Sequence, residues 1–176
     1  SMLWGTSITL TSENFEEVMS ERFMEQLVTN NCRFTVFVEY VPIKPGTGHL
    51  IVDDQQREVF LDRLKGFRKA FPGVFMGFPG DEEQFGGCLA AGRGFVHISA
   101  DGQVEACPFA PYGDKNIGQS SLKNALKSKY LEAIRDNHDQ LSETKGGCAL
   151  WDKKEWTEEL FRLNAQKEGA YPAEMQ

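Results

Sequence analysis

The sequence lacks any long apolar run and any excess of basic residues. No run approaches the roughly 20 residues that cross a bilayer, and the first residues lack the basic-then-apolar order of a secretion signal. Lysine and arginine number 19 against 26 aspartate and glutamate residues, a net charge of -7. Because a nucleic-acid groove needs a concentrated basic face, we expect neither membrane nor nucleic acid as a partner, and we expect a soluble, cytoplasmic protein.

Cysteine is scarce, and its spacing argues against two common architectures. The four cysteines never form the short Cys-x-x-Cys knuckle that dominates structural zinc sites. A disulfide framework is disfavoured because a 176-residue chain with 13 phenylalanines can build its own apolar core. In a cytosolic protein the remaining interpretations are a metal site or inert buried thiols, and spacing alone leaves both open.

The first two-fifths of the chain alternates strand and helix signals. Ser7 to Thr11 and Phe34 to Ile43 are predicted strands, the second an apolar run typical of a buried parallel sheet. Between them an apolar residue recurs at every fourth position, which predicts a helix interrupted near Ser20. These positions are Phe15, Met19, Phe23 and Leu27.

A second helix and a third strand follow. The helix begins at Asp53 or Asp54, either of which can cap it, and Pro72 ends it. Its apolar face contains Phe60, Leu64, Phe67 and Phe71, and the strand is Val74 to Phe78. The β-α-β-α-β order predicts an α/β fold with parallel strands. The chain opens directly on strand-like residues, so we expect an upstream segment.

From Pro79 glycine and proline become frequent, which predicts two domains, 1–80 and 81–176. A hairpin is predicted from Phe95 to Cys107, with a turn over Ala100, Asp101 and Gly102 that a left-handed glycine closes. The predicted cross-strand pairs are His97 with Glu105, Ile98 with Val104, Val96 with Ala106, and Phe95 with Cys107. A two-residue Asp-Gly turn is the less favoured alternative.

Two more helices are predicted. One is capped by Ser120 or Ser121 and ends near His138. Its apolar stripe consists of Leu122, Ala125, Leu126, Tyr130 and Ile134. The other runs from Trp156 to Gln166, with Trp156, Leu160 and Leu163 facing inward, and the tail from Gly169 is expected to be loose.

Three cysteines occupy positions where the backbone can wrap a ligand. Cys88 and Cys148 each follow two glycines, and Cys107 precedes a proline at the end of a predicted strand. Glycine allows close approach, and amide hydrogens turned toward a thiolate suit a cluster ligand. The three could share one cluster, or each could be inert. Cys32 lies between a helix and a strand, and we interpret it as structural.

Three segments carry a resemblance to a known family. In order, GGCLAAGRGFVHISADGQVEACPFAPYGDKNI, SLKNALKSKY and GGCALW resemble the C-terminal extension of radical S-adenosylmethionine enzymes called a SPASM or twitch domain. The glycine five residues before Cys107, after an upstream cysteine, is the hallmark of that extension. SITLTSENF and FVEYVPI look like the fourth and fifth strands of the family's partial barrel, so the resemblance covers nearly the whole chain.

The resemblance implies a fold and a set of cofactors. The fold is the C-terminal half of a partial TIM-like barrel, followed by a small hairpin-plus-helix module. That module would hold an auxiliary 4Fe-4S cluster through Cys88, Cys107 and Cys148. S-adenosylmethionine and a second 4Fe-4S cluster would belong to the longer parent, which would supply the missing N-terminal half of the barrel and cleave S-adenosylmethionine to a 5′-deoxyadenosyl radical.

Two departures from the family matter. The Cys-x-x-x-Cys-x-x-Cys motif of the radical-generating cluster is absent, so this chain alone is not expected to make a radical. With three cysteines, one iron lacks a cysteine ligand: either it meets the substrate, or a fourth ligand comes from elsewhere in the intact protein. Trp151 stands where some relatives have that cysteine. The substrate, a peptide, a heme-like molecule or a small cofactor precursor, stays open.

The resemblance also nominates binding residues outside the cysteines. Four are expected in the S-adenosylmethionine pocket, namely Ser7, Thr9, Glu39 and Tyr40, although threonine is also a good strand former. Arg93 is a candidate for holding an anionic substrate group, with a surface arginine as the alternative. His97 is a candidate proton shuttle, but a cross-strand partner for Glu105 is favoured.

Two non-enzymatic functions remain open from the sequence. One is a peptide-binding or electron-relay module acting beside a separate catalytic subunit. The other is a zinc-stabilised interaction domain. For an isolated fragment, the first strand is predicted to expose an unpaired parallel edge, through which a homodimer can form.

Overall fold

A computed structural model describes residues 2–141 and 148–168 of the chain. They divide into two compact units. The amino-terminal unit contains residues 2–84, and the carboxyl-terminal unit contains the described residues 85–141 and 148–168. The predicted loop glycines Gly146 and Gly147 and the predicted loose tail from Gly169 lie outside the described residues. Within the described part of the chain, no helix has the length and apolar content to cross a membrane.

The amino-terminal unit is a three-stranded parallel sheet with connecting helices. Its elements are β1 (Trp4–Leu10), α1 (Phe15–Val18), α2 (Glu21–Thr29), β2 (Cys32–Glu39), α3 (Asp54–Ala70) and β3 (Val74–Phe78), with a short 3-10 turn at Gly48–Leu50. The strand order is β1-β2-β3, and both pairings are parallel. The predicted β-α-β-α-β order and the bounds of the third strand are therefore confirmed. Among the described residues the sheet is open and closes no barrel.

Polar side chains set the starts of the helices where the sequence predicts them. The Phe23 N–H donates to the Ser20 hydroxyl, which caps α2 and separates it from α1. At the start of α3, the Gln56 N–H donates to the Asp53 carboxylate, and the Asp53 N–H donates to the Gln56 side chain. This reciprocal capping box satisfies amides that have no partner within the helix.

The predicted bounds of the first two strands are wrong at their ends. β1 starts at Trp4 rather than Ser7, because it pairs alongside β2 from Cys32 onward. β2 stops at Glu39 rather than Ile43. Immediately after β2, the Tyr40 N–H donates to the Leu10 carbonyl at 2.8 Å. Leu10 is the last residue of β1. A strand cannot extend its ladder beyond the end of its partner.

The two faces of this sheet have different surroundings. One face packs on the helices, with Phe37 and Phe75 in the same buried cluster as Phe60 and Leu64. The opposite face carries exposed Ser7 and Thr9 and apolar side chains that are only partly covered. These are Phe34, Val36, Val38, Val74, Met76 and Phe78. β1 is an edge strand, and within the described part of the chain no strand pairs with its outer side.

In its described residues, the carboxyl-terminal unit contains a hairpin followed by four helices. Its elements are β4 (His97–Ile98), β5 (Val104–Glu105), α4 (Leu122–Ala125), α5 (Lys129–Asp136), α6 (Ala149–Asp152) and α7 (Lys154–Glu168), with a 3-10 turn at His138–Leu141. The hairpin has the predicted register, with His97 opposite Glu105 and Ile98 opposite Val104. Gly102 closes the turn with a φ of 85°, and its N–H donates to the Ser99 carbonyl at 2.9 Å.

The ladder is shorter than predicted, and a third segment joins it. The pairs of Val96 with Ala106 and of Phe95 with Cys107 do not form. The Ala106 carbonyl instead accepts from the Ala91 N–H at 3.0 Å, and Cys107 bridges to Ala110. On the other side of β5, the Val104 N–H donates to the Lys115 carbonyl at 2.8 Å. The loop after Cys107 therefore folds back along β5.

The single helix predicted after a cap at Ser120 or Ser121 and ending near His138 is two helices. Ser128 is fully buried, and its hydroxyl accepts from the Leu131 N–H at 3.1 Å, so it caps α5 and ends the preceding turn. Leu122 is 46% exposed and does not belong to the buried stripe. In α7, Leu163 is 51% exposed, so its predicted inward orientation is also wrong.

Candidate metal centre

Three of the four cysteines gather in the carboxyl-terminal unit. Cys88 and Cys107 are each 5% exposed and belong to one buried cluster, against which Cys148 packs. All four cysteines are free thiols. Cys32 is buried at the start of β2 in the other unit, where its thiol lies 3.3 Å from the Phe34 carbonyl and donates to it. The three candidate ligands thus share one core, and Cys32 is separate from it.

Within this group, Cys107 interacts directly with Cys148. Their thiols are hydrogen-bonded to each other. The hydrogen bond with Cys107 and then burial raise the pKa of the Cys148 thiol far above its ordinary value. Both effects favour the protonated sulfur, so a bound metal would have to displace that proton.

Local turns position each of these cysteines. Cys107 follows β5, and the Ala110 N–H donates to its carbonyl at 2.9 Å in a tight turn. Cys88 follows Gly86 and Gly87, whose φ angles of 77° and 91° are those that glycine adopts without strain. The Cys88 N–H donates to the Leu141 carbonyl at 3.2 Å. Cys148 is the residue immediately before α6.

Arg93 closes the turn that carries Cys88. Its guanidinium donates to the carbonyls of Cys88 at 2.6 Å, Phe85 at 2.7 Å and Gly87 at 3.3 Å. A guanidinium presents several donors in a fixed plane, so one side chain can hold three carbonyls of a compact turn. This gives Arg93 a structural role, and its nomination for substrate binding stays a prediction.

Replacement of Arg93 by glutamine is expected to lower the free energy of unfolding by about 1–3 kcal/mol, because carbonyls held by a charged donor lose their partner. The urea midpoint of the full chain measures this effect. Arg162→Gln is the matched control, since Arg162 pairs with Glu158 on an exposed face and such pairs contribute about 0–1 kcal/mol. Equal midpoints for the two variants would show that the Arg93 contacts do not stabilise the turn.

His97 and Glu105 form the predicted cross-strand pair. The His97 Nδ1 lies 2.8 Å from the Glu105 Oε2, and Glu105 is buried while His97 is partly exposed. His97 is therefore the hydrogen-bond partner of the Glu105 carboxylate, which lies two residues before Cys107.

The four residues nominated for S-adenosylmethionine are not gathered into one pocket. Ser7 and Thr9 lie on the helix-free face of the sheet, whereas the buried Glu39 pairs with Arg57 of α3 on the other face at 2.9 Å. The Tyr40 hydroxyl donates to the Thr47 hydroxyl at 2.9 Å. Beside Glu39 is a cavity of about 50 Å³, well below the roughly 300–1,000 Å³ of ordinary small-molecule sites.

Sequence reasoning missed three polar groups of these cores. Arg57, the partner of buried Glu39, gave no signal because its position on α3 looked like an ordinary exposed face. Asp114 and Tyr130 also went unnoticed, although the Asp114 carboxylate oxygens and the Tyr130 hydroxyl are buried and have no hydrogen-bond partner among the described residues. Asp114 stands in the loop after Cys107, where a carboxylate is usually solvated.

The donor set suits an iron-sulfur cluster, but it is not fully assembled. Within the described ranges, no group of three or more histidine, cysteine, aspartate or glutamate side chains is arranged to hold a metal ion. Two thiols are hydrogen-bonded, and a third lies in the same buried cluster. Cluster binding therefore requires a local rearrangement that brings the three thiols around one centre.

Comparison with protein-family models, curated proteins and solved structures found no match to this chain.

Proposed function

We propose that this chain is the C-terminal part of a radical S-adenosylmethionine enzyme, in which Cys88, Cys107 and Cys148 bind an auxiliary 4Fe-4S cluster. The observation that carries the proposal is the hydrogen bond between the Cys107 and Cys148 thiols. These residues are far apart in the sequence, and Cys88 lies in the same buried core.

The surroundings of the thiols favour a cluster over inert cysteines. A cysteine that only fills space in a core needs no second sulfur beside it, whereas metal centres need several thiolates close together. Each candidate ligand also stands at a turn or at the boundary of an element. A turn can shift by a small distance to admit an inorganic core without unravelling a helix or a strand.

The open sheet of the amino-terminal unit supports the half-barrel part of the proposal. Parallel sheets are normally covered on both faces, yet among residues 2–84 the helices pack on one face. Phe34 and Val74 on the other face are 38% and 55% exposed, and β1 has no neighbour on its outer edge within the described residues. The remaining strands of a parent barrel would pair with that edge and cover that face.

The role of this chain would be to hold the auxiliary cluster beside the substrate. It lacks the motif of the radical-generating cluster, so radical formation belongs to the parent protein. A buried iron-sulfur cluster can accept or pass an electron, and an iron without a cysteine ligand can bind another group. Whether the cluster transfers an electron or binds another group depends on what ligates the iron that has no cysteine ligand.

Anaerobic reconstitution of the chain with iron and sulfide tests this proposal. We expect a brown protein that retains iron and sulfide after desalting and shows the EPR signal of a 4Fe-4S cluster after reduction. Metal analysis of the anaerobically purified chain is the accompanying measurement. Retention of stoichiometric zinc without any iron-sulfur signal would overturn the proposal and favour a zinc-stabilised interaction domain.

A further inference from the structure

The amino-terminal unit contains a groove between α3 and the junction of α1 with α2. Its volume is about 630 Å³, which lies within the roughly 300–1,000 Å³ of ordinary small-molecule sites. All of its lining belongs to residues 16–71, so the groove lies within a single unit. Its apolar lining includes Met19, Phe67 and Phe71, of which Met19 and Phe67 are buried in the core of the unit. The groove therefore offers a fixed apolar surface to a molecule of moderate size.

Two small residues of α3 keep this groove open. Gly66 and Ala70 both line it, and they lie one helical turn apart on the same face of α3. Gly66 is in the interior of the helix, where glycine is the poorest helix former after proline. A Cβ added at Gly66 would have no atom within 4 Å, so no packing contact requires glycine there. The missing side chain preserves the space of the groove rather than the fold of the helix.

The charged groups of the lining do not balance. Arg63 pairs with Glu16 at 3.0 Å, and the Ser20 hydroxyl is occupied as the cap of α2. Glu21 also lines the groove, and the described part of the chain provides it with no hydrogen-bond or ion-pair partner. The dipole of α2 stabilises a carboxylate in the first turn but supplies no counter-ion. One negative charge at the groove is thus left for a ligand.

We infer that this groove binds a small organic cation, whose apolar body packs on Met19 and Phe67 and whose protonated amine pairs with Glu21. Small-molecule sites combine an apolar lining with a few polar groups that fix the orientation of the ligand, and the groove has both. An anion is disfavoured because it would meet two carboxylates, Glu16 and Glu21, beside one arginine. The inference is independent of the proposed cluster, since none of the lining residues is a proposed cluster ligand.

NMR titration of the full chain with three matched probes tests the inference. The probes are 4-phenylbutylamine, 4-phenylbutanol and 4-phenylbutyrate, which share one apolar body and carry a positive, a neutral and a negative head group. We expect the amine to shift the signals of the Gly66 amide and the Met19 methyl group to saturation, with a dissociation constant of about 1–10 mM for so small a probe. The alcohol should bind about 3–5-fold more weakly, as loss of one exposed ion pair implies, and the carboxylate should bind more weakly still.

Two variants separate the charge from the space. Glu21→Gln keeps the size of the side chain, so the amine should bind only as well as the alcohol, whose affinity should not change. Gly66→Leu places a side chain in the groove and should abolish binding of both probes, while leucine is a better helix former than glycine. Lys65→Leu is the matched control, because it adds the same side chain at the next position of α3, which does not line the groove, and it should leave binding unchanged.

Three results would overturn the inference. They are the absence of saturable shifts with the amine, equal or tighter binding of the carboxylate probe, and amine binding that survives in folded Gly66→Leu. Circular dichroism establishes that each variant is folded, and Glu21→Gln keeps the test valid if Gly66→Leu is not. The titration needs no iron and no sulfide, so its failure leaves the proposed cluster untouched, and failure of the cluster to assemble leaves the titration untouched.

Discussion

Cys107→Ser is expected to reduce the iron retained after anaerobic reconstitution to background and to abolish the 4Fe-4S EPR signal. The serine hydroxyl is far less acidic than a thiol and is a poor ligand for iron in a cluster. The substitution also removes the sulfur that contacts Cys148. The two remaining cysteines cannot hold the cluster, so the loss should be complete rather than partial.

The other cysteines provide both the extension of this test and its control. Cys88→Ser and Cys148→Ser should each lose the signal to the same extent, because ligands of one centre act as a unit. Cys32→Ser should retain it, since Cys32 is buried in the other unit, where its thiol interacts with Phe34, Thr6 and Thr35. Full retention of the cluster in Cys88→Ser would show that Cys88 is not a ligand.

Arg57→Met is expected to cost about 3–5 kcal/mol of unfolding free energy at neutral pH, because it leaves the charge of a buried carboxylate without its partner. Glu39 is 5% exposed, and its carboxylate accepts from the Arg57 Nε at 2.9 Å. Urea denaturation of the full chain measures the cost. Arg162→Met is the matched control, since the Arg162 pair with Glu158 is solvent-exposed and should contribute about 0–1 kcal/mol.

The cost of Arg57→Met should depend on pH in a defined direction. Burial raises the pKa of Glu39 above its ordinary value of 4.5, and the hydrogen bond and charge of Arg57 partly offset this effect. A carboxyl whose folded pKa is raised contributes stability below its unfolded pKa, and that contribution is lost as the pH rises through the folded pKa. Without Arg57 the folded pKa rises further, so the variant should lose least stability in acid and most at neutral pH.

The double variant Glu39→Gln with Arg57→Met completes this test. Glutamine has no charge to leave unpaired, so most of the loss at neutral pH should be recovered and its dependence on pH should vanish. A single variant that is as destabilised in acid as at neutral pH would show that the loss comes from packing of the arginine stem rather than from the unpaired charge.

Features that depend on neighbouring residues could be predicted from the sequence. Ser20 and Asp53 mark helix starts because a capping side chain acts within three residues. The hairpin register follows from the turn, because Gly102 adopts the left-handed conformation that the three-residue loop requires. The parallel order of β1, β2 and β3 follows from the alternation of strands with helices.

Features that depend on distant contacts could not be predicted in the same way. Ser128 interrupts the predicted helix because its buried hydroxyl caps α5. The bridge of Cys107 to Ala110 shortens the hairpin through a turn that has no strand pattern. Glu39 became a buried ion pair because Arg57 of α3 lies over it, a contact between separate elements. For the cysteines, spacing suggested a shared centre but could not show that the Cys107 and Cys148 thiols interact.

Anomalous X-ray diffraction at the iron absorption edge, from crystals of the anaerobically reconstituted chain, tests the central claim most directly. We predict a single strong iron peak in the core of the carboxyl-terminal unit, within bonding distance of the sulfurs of Cys88, Cys107 and Cys148. An iron peak at any other position, or crystals of the reconstituted chain in which these sulfurs remain apart and no iron peak is present, would contradict the account.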